Sequence, residues 1–144
     1  MLRTYRSIYA LASVLVVATV ACSSSSSSSA GGTGGAAVAG TVKDFSITVD
    51  PSQVAAGEVN FTITNDGPST HEFVVVQTDT APGDLPVEND EVNEDGIALI
   101  GEVEDIAPST TADLTLTLEA GQYVILCNIT AHYQQGMYTG LTVT

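Results

Sequence analysis

The sequence predicts an all-β fold, a Greek-key β-sandwich or barrel of about seven to eight strands over roughly a hundred residues. Three observations carry this. From Thr41 onward, β-branched and aromatic residues alternate with polar ones in short runs. Clusters of Gly, Pro, Asn and Asp separate those runs. No segment has an apolar repeat of helical period.

Ahead of the strands, residues 1–21 have the form of a signal peptide. Arg3 and Arg6 make a short positive start, and Ile8 to Ala21 is an uncharged apolar run, short for a membrane span. The stretch Ala18-Thr19-Val20-Ala21-Cys22 resembles the bacterial lipobox, with Thr19 in the place usually held by Leu. That resemblance implies cleavage before Cys22 and lipidation of Cys22. Ordinary secretion with cleavage near Ala21, or an uncleaved anchor, are the competing readings. Residues 22–40, with Ser23 to Ser29 and a glycine-rich run, are expected to form a flexible tether to a domain at 41–144. The expected location is extracytoplasmic, in the periplasm or on the outer face of the cytoplasmic membrane, held there by lipid.

Within the domain, Val42, Phe45, Ile47 and Val49 predict one strand, stopped by Asp50-Pro51. Val59, Phe61 and Ile63 alternate with Asn60, Thr62 and Thr64 until Asn65-Asp66-Gly67-Pro68 breaks the run. Glu72 to Thr78 is a continuous apolar run suited to a sandwich interior. Asp79 to Asp95 is acidic, is interrupted by Pro82 and Pro86, and reads as a long excursion between strands. Ile97 to Ile106 is the next strand. Leu114, Leu116 and Leu118 then alternate with threonines, Ala120-Gly121 turns the chain into Tyr123 to Cys127, and Tyr138 to Val143 closes the domain.

Charge excludes one class of partner. Formal charge is −14, and loss of Arg3 and Arg6 with the signal leaves Lys43 against seventeen acidic residues, or −16. Nucleic acid is excluded, since phosphate binding needs clustered Lys and Arg. The acidity serves solubility or a salty or acidic habitat, or else attracts basic partners over distance. Glu91-x-Asn93-x-Asp95-Gly96 followed by Glu102 nearly fits a calcium-loop pattern, with Glu in place of the first Asp. Flanking helices are not expected there, and a solvated acidic loop that helps a basic partner dock is the plainer account.

The chemistry-bearing residues are few. Cys127, His132 and Met137 follow one another at five-residue steps directly after a strand, and His71 sits between a turn and a strand. Beyond Cys22 there is no other Cys, beyond Met1 no other Met, and no other His at all. A lone His71 reads as a surface or half-buried residue, a lone Cys127 as a small hydrophobe and a lone Met137 as core. Taken jointly, two imidazoles, a thiolate and a weak axial thioether are the ligand set of a mononuclear blue-copper site. Zinc tolerates Cys and His but prefers a fourth strong donor, and oxygen-seeking ions have no reason to choose this set.

These residues resemble the cupredoxin family, which includes plastocyanin, azurin and rusticyanin, over about Thr41 to Thr144. The resemblance rests on the order His71, then Cys127, His132 and Met137 on one loop. It implies one type 1 copper ion bound by the imidazoles of His71 and His132, the Cys127 thiolate and an axial Met137. It implies an edge of His132 near the surface in an apolar patch. The expected function is a monomeric one-electron carrier cycling Cu(I)/Cu(II) and not an enzyme, since four protein ligands leave no open position for substrate and no histidine remains for a second copper cluster. Redox partners with basic docking surfaces, such as a cytochrome, an oxidase or a reductase, are expected. A copper carrier or buffer that hands the ion to an acceptor is the alternative. Many members place Asn or Ser after the first histidine to tie the ligand loops together, whereas Glu72 stands here, so how the loop is braced is left open.

Overall fold

The computed structural model describes residues 34–144; the signal segment, Cys22 and the serine tract fall outside them. Its strands are β1 (Ala36–Lys43), β2 (Ser46–Asp50), β3 (Gln53–Val54), β4 (Gly57–Asn65), β5 (His71–Gln77), β6 (Val87–Glu88), β7 (Glu91–Val92), β8 (Ala98–Ile106), β9 (Thr111–Leu118), β10 (Gly121–Leu126) and β11 (Tyr138–Val143). They make a four-stranded sheet ordered β2-β1-β4-β9, a five-stranded sheet ordered β3-β11-β10-β5-β8, and the small β6-β7 hairpin. The all-β sandwich expected from alternation is observed. Two pairings are parallel, β1 with β4 and β3 with β11, so both large sheets are mixed.

Alternation explains the core. The inward residues of β4 are Val59, Phe61, Ile63 and Asn65, all at most 1% exposed, and the first three meet Phe73 and Val75 of β5 and Ile125 of β10 in one cluster. Phe61 and Phe73 pack with ring centroids 5.5 Å apart. The apolar run over β5 is buried on both faces. Its other face, Val74 and Val76, joins Val124 and Leu126 of β10 in a second cluster completed by Leu85, Val92 and Tyr133. Full burial of each such aliphatic side chain contributes about 1.5–3 kcal/mol. The acidic excursion is therefore more than a solvated loop: Leu85 and Val92 roof the outer face of the two central strands.

Two expectations about chain organisation are revised. The single strand over residues 42–49 is a hairpin, in which Val42 pairs with Ile47 and Lys43 with Ser46 around a turn at Asp44 and Phe45. Phe45 adopts φ 60, a left-handed conformation that alternation of side-chain type does not report. Ordered strand also begins at Ala36, inside the stretch read as tether. Its small residues answer to close packing: a Cβ on Gly40 would lie 3.1 Å from Phe73, and one on Gly35 would lie 2.5 Å from the Glu58 carbonyl oxygen. A glycine-rich composition here marks backbone approach as well as flexibility.

Candidate metal centre

His71, Cys127 and His132 gather at one end of the sandwich because β5 and β10 are antiparallel neighbours. Leu126 pairs with Val74, so the end of β10, followed by Cys127, meets the start of β5 at His71. The connection from β10 to β11 then folds back on itself. The His132 N–H donates to Ile129 O at 2.9 Å, the Met137 N–H to His132 O at 3.2 Å, and the Cys127 N–H to Met137 O at 3.1 Å. Left-handed Ala131 (φ 67) and Gly136 (φ 105) flank a short 3-10 turn at Tyr133–Gln135 and make this reversal possible.

The donor atoms of His71, Cys127 and His132 all lie within 4.8 Å of one another. The Cys127 Sγ stands 3.4 Å from His132 Nδ1 and accepts from the Glu72 backbone N–H at 3.4 Å. His71, Cys127 and Met137 are fully buried, and His132 is half-buried. Met137 shares the core cluster of Cys127. Burial pushes the Cys127 thiol up, against backbone N–H groups of Glu72 and Ile129 that pull it down. Burial also pushes His71 down, as does the neighbouring His132, and Asp44 opposes them. The pocket thus holds a neutral thiol and a neutral imidazole, and a metal must displace the thiol proton on binding.

One atom tests the fit. His71 Nδ1 is buried without any hydrogen-bond partner. A buried acceptor left unpaired costs about 1–3 kcal/mol, and a metal at the meeting point of the three donors would satisfy it. Two imidazoles and a thiolate, with a thioether nearby in the same cluster, fit a single type 1 copper ion.

Three supports of this site escaped sequence reading. Asn65, fully buried, donates through Nδ2 to Ser69 O and Ile106 O, both at 2.8 Å, and its Oδ1 accepts from the Gly67 N–H at 2.8 Å. It locks the turn that leads into His71. The available signal was an Asn at the fourth inward position of an alternating strand. Asp44 Oδ1 lies 3.0 Å from His71 Nε2, and nothing distinguished it among seventeen acidic residues. Phe45, 46% exposed, sets its ring edge-on to His132 with centroids 5.8 Å apart. Asn65 and Asp44 therefore brace the turn that carries His71, while Glu72 itself links the two ligand loops, through its backbone N–H on the Cys127 sulfur and its carboxylate on the Asn128 backbone N–H.

The excursion is stitched to the ligand loop. The Ala131 N–H donates to Asp90 O at 2.8 Å, Asn128 Nδ2 to Glu94 Oε1 at 2.7 Å, Thr130 Oγ1 to Glu91 Oε1 at 2.7 Å, and Tyr133 OH to Pro82 O at 2.6 Å. Residues of the calcium-like pattern are spent on such bonds: Asn93 Oδ1 accepts from the Asp95 N–H and Glu91 accepts from Thr130. Among the described residues the only trio of His, Cys or carboxylate donors within 4.8 Å is the one at Cys127.

Glu72, Glu91, Glu94, Glu102 and Glu104 line a concavity of about 360 Å³ beside the site. Burial, and then the Glu104 charge, push the Glu72 carboxyl above its usual value. An acid raised on folding destabilises the fold at neutral pH, and that penalty fades as pH falls through the raised value towards the ordinary 4.5. Glu72→Gln is expected to raise the stability of the copper-free protein at neutral pH by up to about 1 kcal/mol. The gain should vanish in acid, as read from denaturant midpoints across pH; a gain of equal size at both ends would contradict the electrostatic account.

Comparison with known proteins places these features. A family model described as a cupredoxin-like domain matches residues 12–139. A search of the curated proteins finds no significant match. Reduced auracyanin from the photosynthetic bacterium Roseiflexus castenholzii shares the fold at 20% identity and TM-score 0.56, over 78% of this chain and 99% of its own. Auracyanin A, a "blue" copper protein from Chloroflexus aurantiacus, superposes at 20% identity and TM-score 0.50, over 74% and 99%. Reduced rusticyanin does so at 19% identity and TM-score 0.55, over 77% and 81%.

Proposed function

This chain belongs to the cupredoxin-like family, and we propose from that premise that it is an extracytoplasmic one-electron carrier with a single type 1 copper ion held by His71, Cys127, His132 and Met137. The observation that carries the reading is the convergence of two imidazoles and one thiol within 4.8 Å, with His71 Nδ1 buried and unpartnered. A copper ion on this donor set supplies one-electron chemistry, Cu(I)/Cu(II), in one compromise geometry.

The protein's part is to hold the donors still and dry. Cys127 is fixed by the β10–β5 ladder and by the Glu72 N–H on its sulfur. His71 and Met137 are sealed from water, so the donors have little freedom to rearrange when charge changes. His132 alone of the four reaches towards solvent, and with the exposed Phe45 ring it forms the outer edge through which electrons enter and leave. The lipid anchor at Cys22 and the tether behind it keep the domain near a membrane surface. Its partners are redox proteins with basic docking surfaces, a reading supported by the acidic concavity that begins at Glu72, next to His71.

Copper addition to the purified protein is the test. The expected result is a strong thiolate-to-copper band near ~600 nm and a reversible midpoint potential, with slow release of the ion. A colourless product, or rapid transfer of copper to an acceptor protein with no stable blue form, would overturn the carrier of electrons in favour of a carrier of copper or a structural module.

A further inference from the structure

The carboxylate of Asp44 is not a ligand, yet it faces the one fully buried imidazole of the site. Its Oδ1 lies 3.0 Å from His71 Nε2, and its Oδ2 accepts from Ser69 Oγ at 3.2 Å. A carboxylate can only accept, so Nε2 carries the ring proton and Nδ1 is left bare. Nδ1 is the atom that is buried without a partner.

The position of Asp44 is built. It sits in the β1–β2 turn, held by left-handed Phe45. The Asp66 N–H donates to Val42 O at 2.9 Å, tying that hairpin to the turn before His71. Gly67 lets the two segments close: a Cβ there would stand 3.0 Å from both His71 Nε2 and Lys43 Cα. Asn65 and Ser69 fix the same turn from the other side.

We infer that Asp44 is a positioning residue that sets the tautomer of His71, presenting Nδ1 to the metal, and that its negative charge lowers the midpoint potential of the site. The inference rests on the copper reading above. A carboxylate behind a metal-bound histidine increases the basicity of the ligand nitrogen and commonly changes metal affinity 10–100-fold. Added negative charge favours Cu(II) over Cu(I).

Two variants of the full chain separate geometry from charge. Asp44→Asn keeps an acceptor oxygen and loses the charge. The blue band should persist and the midpoint potential should rise. Asp44→Ala loses both, and copper affinity is expected to fall by about 10-fold or more. In the copper-free protein, at mildly alkaline pH, ring 15N shifts should place the His71 proton on Nε2 in the parent and in Asp44→Asn. A mixture of tautomers is expected in Asp44→Ala. A parent His71 protonated on Nδ1, an Asp44→Ala protein with parental tautomer and affinity, or an Asp44→Asn potential that does not rise would each overturn the inference. Failure of the parent to take up copper would instead sink the copper reading, and the ring shifts would still decide the tautomer.

Discussion

Replacing Cys127 by Ser is expected to abolish the visible band of the copper-loaded protein and to lower copper affinity by orders of magnitude, with the fold retained. The hydroxyl is close in size to the thiol, and the Glu72 N–H that now points at Sγ finds an oxygen in its place. Serine remains protonated where cysteine yields a thiolate to a soft metal, so both the charge-transfer colour and the strongest bond disappear. Visible absorption after copper addition, read beside far-ultraviolet circular dichroism, gives the answer. A variant that stays blue would show that the colour has another source. A variant that unfolds would leave Cys127→Ala to make the same test, since it removes the sulfur without setting a hydroxyl in a fully buried site.

Asn65→Ala should be the most damaging of the polar substitutions among residues that touch no metal. It would leave the Ser69 and Ile106 carbonyls and the Gly67 N–H without their present partner, the last two at buried bonds and the first at a part-buried one. Each buried group left unsatisfied costs about 1–3 kcal/mol, and partial relaxation of the turn makes about 3 kcal/mol the expected sum. The same loosening should weaken copper binding, because the released turn carries the chain into His71. Denaturant midpoints of the copper-free protein and competition for copper check the two effects. Asn65→Asp, which sets a carboxylate oxygen against both carbonyls in the buried site, should cost no less than alanine. A loss below ~0.5 kcal/mol, the scale of an ordinary surface substitution, would mean that the network does not hold the turn.

Local pattern made several elements legible. Val59, Phe61 and Ile63 identify β4 because a strand points successive side chains to opposite faces, so one buried face writes itself into every second residue. The continuous run over β5 is buried on both sides, as its composition implies. The Asp44–Phe45 hairpin leaves only a faint mark, a three-residue step from Val42 to Phe45 in an otherwise two-residue alternation, and the left-handed Phe45 has no signature in side-chain type. Ala36 to Gly40 was misread for the opposite reason: small residues needed for close packing against Phe73 have the composition of a linker. The excursion over Asp79 to Asp95 announced its charge and hid its role, since Leu85 and Val92 gain meaning only against Val74 and Val124.

Side-chain chemistry and order along the chain were enough to point to His71, Cys127 and His132, which the fold brings together, because thiolate and imidazole are scarce here and their ligand character is intrinsic. The chain order by itself also settled the all-β class. What only the tertiary structure decided is how that site is held: Asn65 under the turn, Asp44 behind His71, and the acidic excursion fastened to the ligand loop. Those supports are ordinary polar residues whose function lies wholly in what they face. Partners more than twenty residues apart meet through strand pairing and packing, which no local pattern encodes.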